Sequence, residues 1–244
     1  NAEGPFINPA RKGAQNGEHV LLPDPGFLLD FADVVRITTL APEMEGGLAF
    51  IDAVKAKSDI LISMGHTDAT FEQAKEAVAH GLGHATHTFN AMTGLNHRAP
   101  GVAGAALTLP VTAELIADTF HIHPGLFPLM VKAKGDKLCL ITDCTRAGGL
   151  SDGEYSLGGQ PIFVRGIECR LADGTIAGSV LKLNRAVKNL VDYTGLPVYE
   201  AVNCASRNPA NAIGQRNKGT LESGKDADIF LCTDDFEVSR TILR

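Results

Sequence analysis

The 244-residue sequence has no tryptophan and only 6% aromatic residues, so nothing in it suggests an aromatic binding platform. It also lacks a basic excess. Its 22 Lys and Arg face 28 Asp and Glu, a formal net charge of −6, which argues against a nucleic-acid partner that would need a basic footprint. The five cysteines (Cys139, Cys144, Cys169, Cys204 and Cys232) are odd in number and form no CxxC pair. They read as inert thiols of a reducing compartment rather than a disulfide framework. No apolar run approaches the roughly 20 residues of a membrane span, and the first residues do not resemble a signal peptide. These absences lead to the expectation of a cytoplasmic protein with no membrane partner. There is no internal repeat or low-complexity tract. No GxxxxGK[ST] segment occurs, which excludes a nucleotide P-loop.

What is present is alternation. Strand-like apolar runs occur in "DVVRITTLAPE" (33–43), "ILISMGHT" (60–67) and, most clearly, "KLCLITDCT" (137–145). Helical patterns follow or precede them at 46–58, 69–81, 123–135 and 181–195. Strand and helix in turn imply parallel pairing with right-handed crossovers, an α/β protein. Residues 151–180 are rich in glycine and short β-type runs, and are expected to form an excursion of hairpins. The tail from 219 to 244 also reads as β, so the expected organisation is a domain over 1–218 and part of a small β-domain over 219–244.

The titratable residues fall just after the apolar runs: Glu43, His66, His87, His121 and Asp143. Chemistry sits at such strand ends in a (β/α) barrel and flanks the crevice of a doubly wound sheet. Five loaded ends favour the barrel. His66 and His87 suit neutral imidazole ligands of a catalytic zinc, which would need a carboxylate to complete the set. His80, His84 and His97 read as structural. Asp143 ends the most apolar strand, where an acid is costly to bury without a partner. Its chemical reading is a general base; the alternative is a structural hydrogen bond. Asn90, Arg98 and the glycines of "NHRAPGVAGA" suit phosphate contact. Glu3, in "NAEGPF", reads on its own as a solvated terminal acid.

With these residues assembled, the sequence resembles the N-acetylglucosamine-6-phosphate deacetylases of the amidohydrolase superfamily. The carriers are "EGPFINPARKGAQN", "LAPE", "GHTDAT", "HTFNAM", "RAPGVAGA", "ADTFHIHP", "ITDCTRAGG", "DGTIAGS" and "GTLESGKDADI", in that order. The resemblance implies a (β/α)8 TIM-type barrel, incomplete here, beside a small β-sandwich built from both chain ends, usually in a homodimer. It implies that Glu3, His66 and His87 are metal ligands and Asp143 the general acid/base. It places Asn90, Ala91 and Arg98 at the phosphate and His121 at the sugar. Ala14 and Gln15, with Ile176, Ala177 and Gly178, are implied to line the rest of the substrate site. The implied cofactor is one or two divalent ions, zinc foremost, with iron, cobalt or manganese as alternatives. The implied reaction is hydrolysis of N-acetyl-D-glucosamine 6-phosphate to glucosamine 6-phosphate and acetate by metal-activated water.

Two features depart from the family pattern. Some members carry His at the position of Gln15, a neutral and weaker donor; members with Gln there are expected to lean on a second metal. The family also carries a β-domain segment and two barrel strands before "EGP", so the sequence is expected to be a fragment or the ordered part of a longer chain. The alternatives are an inactive homologue serving as a structural or sugar-phosphate-binding protein, and an amidohydrolase of another substrate. Metal content separates the first of these from the enzyme.

Overall fold

Strand and helix alternate from the second residue to residue 141. The computed structural model describes residues 1–243, and the chain divides between Glu114 and Leu115 into two compact units. In the first unit, β1 (Ala2–Glu3), β2 (Ile37–Leu40), β3 (Leu61–Met64), β4 (His84–Ala85) and the start of β5 (Thr112–Ile116) lie side by side in chain order. Each pair is parallel. Parallel neighbours need a crossover between them, and α1 (Pro25–Leu29), α2 (Gly47–Lys57), α3 (Phe71–Ala79) and α4 (Gly101–Thr108) lie in those crossovers.

Local chemistry accounts for the helix starts. Asp24 caps α1 by accepting from the backbone N–H groups of Gly26 and Phe27. Thr70 and Gln73 form a reciprocal capping box at α3, which satisfies two otherwise orphaned donors. The helix α4 is not marked by a helical pattern in the sequence. It is buried from Gly101 to Leu107, so it has no polar face from which a period could be read. Gly104 is a packing requirement there: a Cβ would stand 2.5 Å from the Cβ of Pro100. Phe6, Phe50, Ile51, Ile62 and Met64 form the centre of this unit's core, with the Phe6 and Phe50 rings 5.1 Å apart. Each such side chain contributes about 1.5–3 kcal/mol through burial.

In the second unit, α5 (Phe127–Lys134) leads to β6 (Leu138–Ile141), the next neighbour of β5 in the sheet. The strand–helix order is that of a (β/α)8 barrel, with six strands present in the sheet. The expected excursion is an antiparallel sheet of β7 (Gly153–Leu157), β8 (Gln160–Arg165) and β9 (Glu168–Leu171). It buries Ile162, Val164 and Cys169 on one side. The helix α6 (Leu183–Thr194) packs through Ala186, Val187 and Leu190. Two further helices, α7 (Val198–Ala205) and α8 (Arg207–Ala212), follow. The tail forms the hairpin β10 (Ile229–Cys232) and β11 (Val238–Ile242). Asn184 of α6 donates to the Phe236 carbonyl and Arg185 pairs with Glu237, tying the hairpin turn to that helix. Arg244, the last residue of the expected β-domain segment, lies outside the described residues.

Candidate functional site

Register sets a polar row across the first unit's sheet. Glu3 pairs with Thr39, Thr39 with Ser63, Ser63 with His84, and His84 with Thr112. In-register residues of parallel strands share a face. Thr39, Ser63 and His84 are all buried, and the Thr86 hydroxyl bonds both Thr39 (2.8 Å) and Ser63 (2.5 Å). Above this row the chain turns sharply after β3 and β4. His66 and His87 there have φ of 48° and 28°, the left-handed region that non-glycine residues seldom enter. Of the seven non-glycine residues with positive φ among the described residues, four are site candidates from the sequence: His66, His87, Ala91 and Asp143. Such conformations cost about 1–3 kcal/mol each and persist where the surroundings over-determine them.

The turns bring His66 and His87 to Glu3. Their Nε2 atoms lie 2.7 Å and 3.4 Å from Glu3 Oε1, and 3.1 Å from each other. All three donor atoms lie within 4.8 Å of one another. The His66 Nδ1 is 2.7 Å from the Arg11 carbonyl, which can only accept. Nδ1 therefore carries a hydrogen, so a neutral ring has its lone pair on Nε2 for a cation, while a protonated ring donates from Nε2 to Glu3. Two imidazole Nε2 atoms and a carboxylate oxygen converging on one point fit a divalent cation. Burial opposes the charge on Glu3, but the hydrogen bonds and charges of the two histidines outweigh it and hold the carboxyl below the usual range.

Around this triad, Gln15 donates from Nε2 to Glu3 Oε1 (3.3 Å), and Ala14 is half-buried beside it in sequence. Asn90 donates from Nδ2 to the carbonyls of His87 (3.2 Å) and Thr88 (3.4 Å), so its amide braces the turn that carries His87. The Ala91 carbonyl accepts from Thr67 N–H. Arg98 is exposed and forms no ion pair among the described residues. Glu43, a strand-end acid, is placed apart from the triad's donor set. Its Oε1 accepts from Asn8 Nδ2 (2.9 Å) and Asp68 N–H (2.6 Å), and its Oε2 from the Thr67 hydroxyl (2.5 Å). It braces the loop next to His66.

The second unit holds Asp143, half-buried just past β6, with φ of 50°. Its carbonyl accepts from Ser179 N–H at 2.8 Å. Gly178 has φ of 57°, and a Cβ on it would stand 2.8 Å from Thr145 Cγ2 and 2.9 Å from the Asp143 carbonyl. Only glycine fits that approach. Asp143 is thus brought together with Gly178 and Ser179, while Ala177 donates its N–H to the Cys169 carbonyl and Ile176 bridges to Arg170. His121 is held by Asp118, whose Oδ2 lies 2.6 Å from Nδ1 while Oδ1 accepts from the backbone N–H of Phe120 and His121. Burial raises the Asp118 carboxyl, and the His121 hydrogen bond outweighs it, leaving the pKa below its usual value.

Two buried acids, Glu114 and Asp118, have no place in the sequence-level site. The signal was available, since both interrupt the apolar run "TAELIAD", the same cost of burial that singles out Asp143. His84 is buried against Glu114 (3.0 Å) and His80 pairs with Asp52 (2.8 Å).

Residues 2–244 match the model of the amidohydrolase family. The N-acetylglucosamine-6-phosphate deacetylase of Bacillus subtilis is 42% identical over 99% of this chain and 63% of its own length. The N-acetylgalactosamine-6-phosphate deacetylase of Escherichia coli is 37% identical over 93% and 62%. Among solved structures, a mutant N-acetyl-D-glucosamine-6-phosphate deacetylase from Mycobacterium smegmatis, in complex with N-acetyl-D-glucosamine-6-phosphate, superposes with a TM-score of 0.92 at 35% identity. That match covers 99% of this chain and 66% of the other. The chain spans less than two thirds of the length of these relatives.

Proposed function

The chain belongs to the amidohydrolase family, and from that premise we propose that it serves in the hydrolysis of N-acetyl-D-glucosamine 6-phosphate to D-glucosamine 6-phosphate and acetate. The convergence of Glu3 Oε1 with the Nε2 atoms of His66 and His87 carries this reading. These three would hold a divalent ion, zinc foremost. Such an ion supplies Lewis acidity and a water activated for attack on the acetamide carbonyl. Asp143 takes the proton from the attacking water and returns it to the departing amine, a role suited to a half-buried carboxylate at a strand end. Arg98, with Ala91 and Asn90, binds the phosphate, and this remote contact orients the sugar. For Asn90 to contribute its amide, one of its two bonds to the turn carbonyls must be released. His121, oriented by Asp118, contacts the sugar. Gln15 and Ala14 on one loop, and Ile176 to Gly178 on another, line the remaining site.

The same reading assigns 1–218 to the hydrolase barrel and 219–244 to part of a small β-sandwich, in a cytoplasmic homodimer. No helix among the described residues is long and apolar enough to cross a membrane. Metal analysis combined with acetate release tests the proposal, using N-acetylglucosamine 6-phosphate and its galactosamine epimer with wild type and Asp143→Asn. Metal-dependent release from the glucosamine compound, lost in Asp143→Asn, is the expected result. Turnover without metal, or full turnover in Asp143→Asn, would refute it. Preference for the epimer would move the chain to the other substrate.

A further inference from the structure

Glu114 is 5% exposed in the first unit's sheet, and both of its carboxylate oxygens are engaged. Oε2 accepts from the backbone N–H of His87 at 3.0 Å, and Oε1 faces His84 Nε2 at 3.0 Å. The Glu114 carbonyl accepts from Thr88 N–H at 3.1 Å. Glu114 therefore grips two consecutive peptide groups, one through its side chain and one through its main chain.

His84 is itself fixed. Thr112 donates its single hydroxyl hydrogen to the Gly83 carbonyl (3.1 Å), so it accepts from His84 Nδ1–H (2.5 Å). That bond sets the ring plane and turns Nε2 toward Glu114. The result is a buried strap running from Thr112 through His84 and Glu114 to the His87 peptide. At its far end His87 has left β4 with φ of 28°. A backbone turned so sharply presents its N–H where no strand carbonyl meets it, and the carboxylate supplies the acceptor instead.

We propose that Glu114 is the positioning residue for His87. By holding the His87 peptide in its left-handed conformation, it aims Nε2 at Glu3 and His66 and so sets the affinity and geometry of the metal site. This rests on the metal reading above. Outer partners of this kind change metal affinity by about 10- to 100-fold when removed. A role confined to burying His84 would leave metal affinity and ligand geometry unchanged.

The test is cobalt(II) titration of the metal-free full chain, followed by the visible absorption bands of the bound ion. Glu114→Ala is expected to weaken binding by about 10-fold or more and to alter the bands. Glu114→Gln keeps an oxygen for the His87 N–H, and is expected to stay within about 3-fold of wild type because that acceptor survives. Wild-type affinity and spectrum in Glu114→Ala would overturn the proposal, as would a loss in Glu114→Gln equal to that in Glu114→Ala. If Glu114→Ala does not fold, Glu114→Asp carries the test, since it keeps the charge and shortens the reach. Weaker cobalt binding in it supports the strap, and unchanged binding overturns it. His87→Ala separates the two readings. A wild type that binds cobalt no more tightly than His87→Ala overturns the metal site and this proposal together. Cobalt binding lost in His87→Ala but intact in Glu114→Ala overturns this proposal alone.

Discussion

Two carboxylate–imidazole groupings, one in each unit, use the same chemical parts for different ends. In the first, Glu3 meets His66 and His87 from 63 and 84 residues away. In the second, Asp118 meets His121 from three residues away and spends its other oxygen on the local backbone. Both carboxylates are opposed by burial, and histidine bonds hold both below their ordinary range. A protonation argument alone would therefore not separate them. Geometry does. Glu3 is one of three donors converging on a point, whereas Asp118 is saturated by donors of its own turn and can only orient the ring beside it. Long-range convergence makes a site for a ligand, while local saturation makes a rigid side chain.

The largest effect expected is at the converging group. Glu3→Ala and His87→Ala should each abolish stoichiometric metal and deacetylation together, by metal analysis and acetate release, because three ligands are the minimum for a catalytic centre. If Asp118→Ala drained the metal equally, the contrast between the groupings would collapse. Next, Asp143→Asn should lower kcat by about 10²- to 10⁴-fold while metal content stays at the wild-type level. Metal loss in that variant would make Asp143 a ligand rather than an acid/base. Arg98→Ala should raise KM by about 10-fold with kcat little changed, the signature of lost uniform binding, and N-acetylglucosamine without its phosphate should show no such difference.

The smallest effect sharpens the second grouping. Asp118 has a folded pKa below its ordinary value of 3.8, so the unfolded chain binds more protons in the acid range. Its contribution is fully present above the unfolded value and is lost as pH falls through the folded one. Denaturation midpoints of the metal-free protein should fall between pH 5 and pH 2, and Asp118→Asn should flatten that fall.

Much of the fold was legible because its signals are local. Apolar runs marked β2, β3 and β6, and periodic patterns marked α2, α3 and α6. The misses have local causes too. The helix α4 is buried throughout its first seven residues and carries two glycines, so neither period nor propensity announces it. The strand β1 is two residues long, too short for any alternation. The helices α7 and α8 are separated by Ser206 alone, and Pro209 sits in the second, which reads as a break. At the site, His66, His87 and Asp143 stood out by ending apolar runs, whereas Glu114 and Asp118 were passed over within one.

By itself, the sequence determined the α/β alternation, the placement of titratable residues at strand ends and the family motifs in their order. These depend on neighbours a few positions apart. Only the tertiary structure decided how close Glu3 stands to the two imidazoles, and which nitrogen of His66 faces it. It also decided that Glu43 braces a loop instead of joining the triad. Those outcomes rest on sheet register, left-handed turns and a carbonyl 55 residues from the ring it fixes. Lone pairs converge only when distant backbones have set their directions.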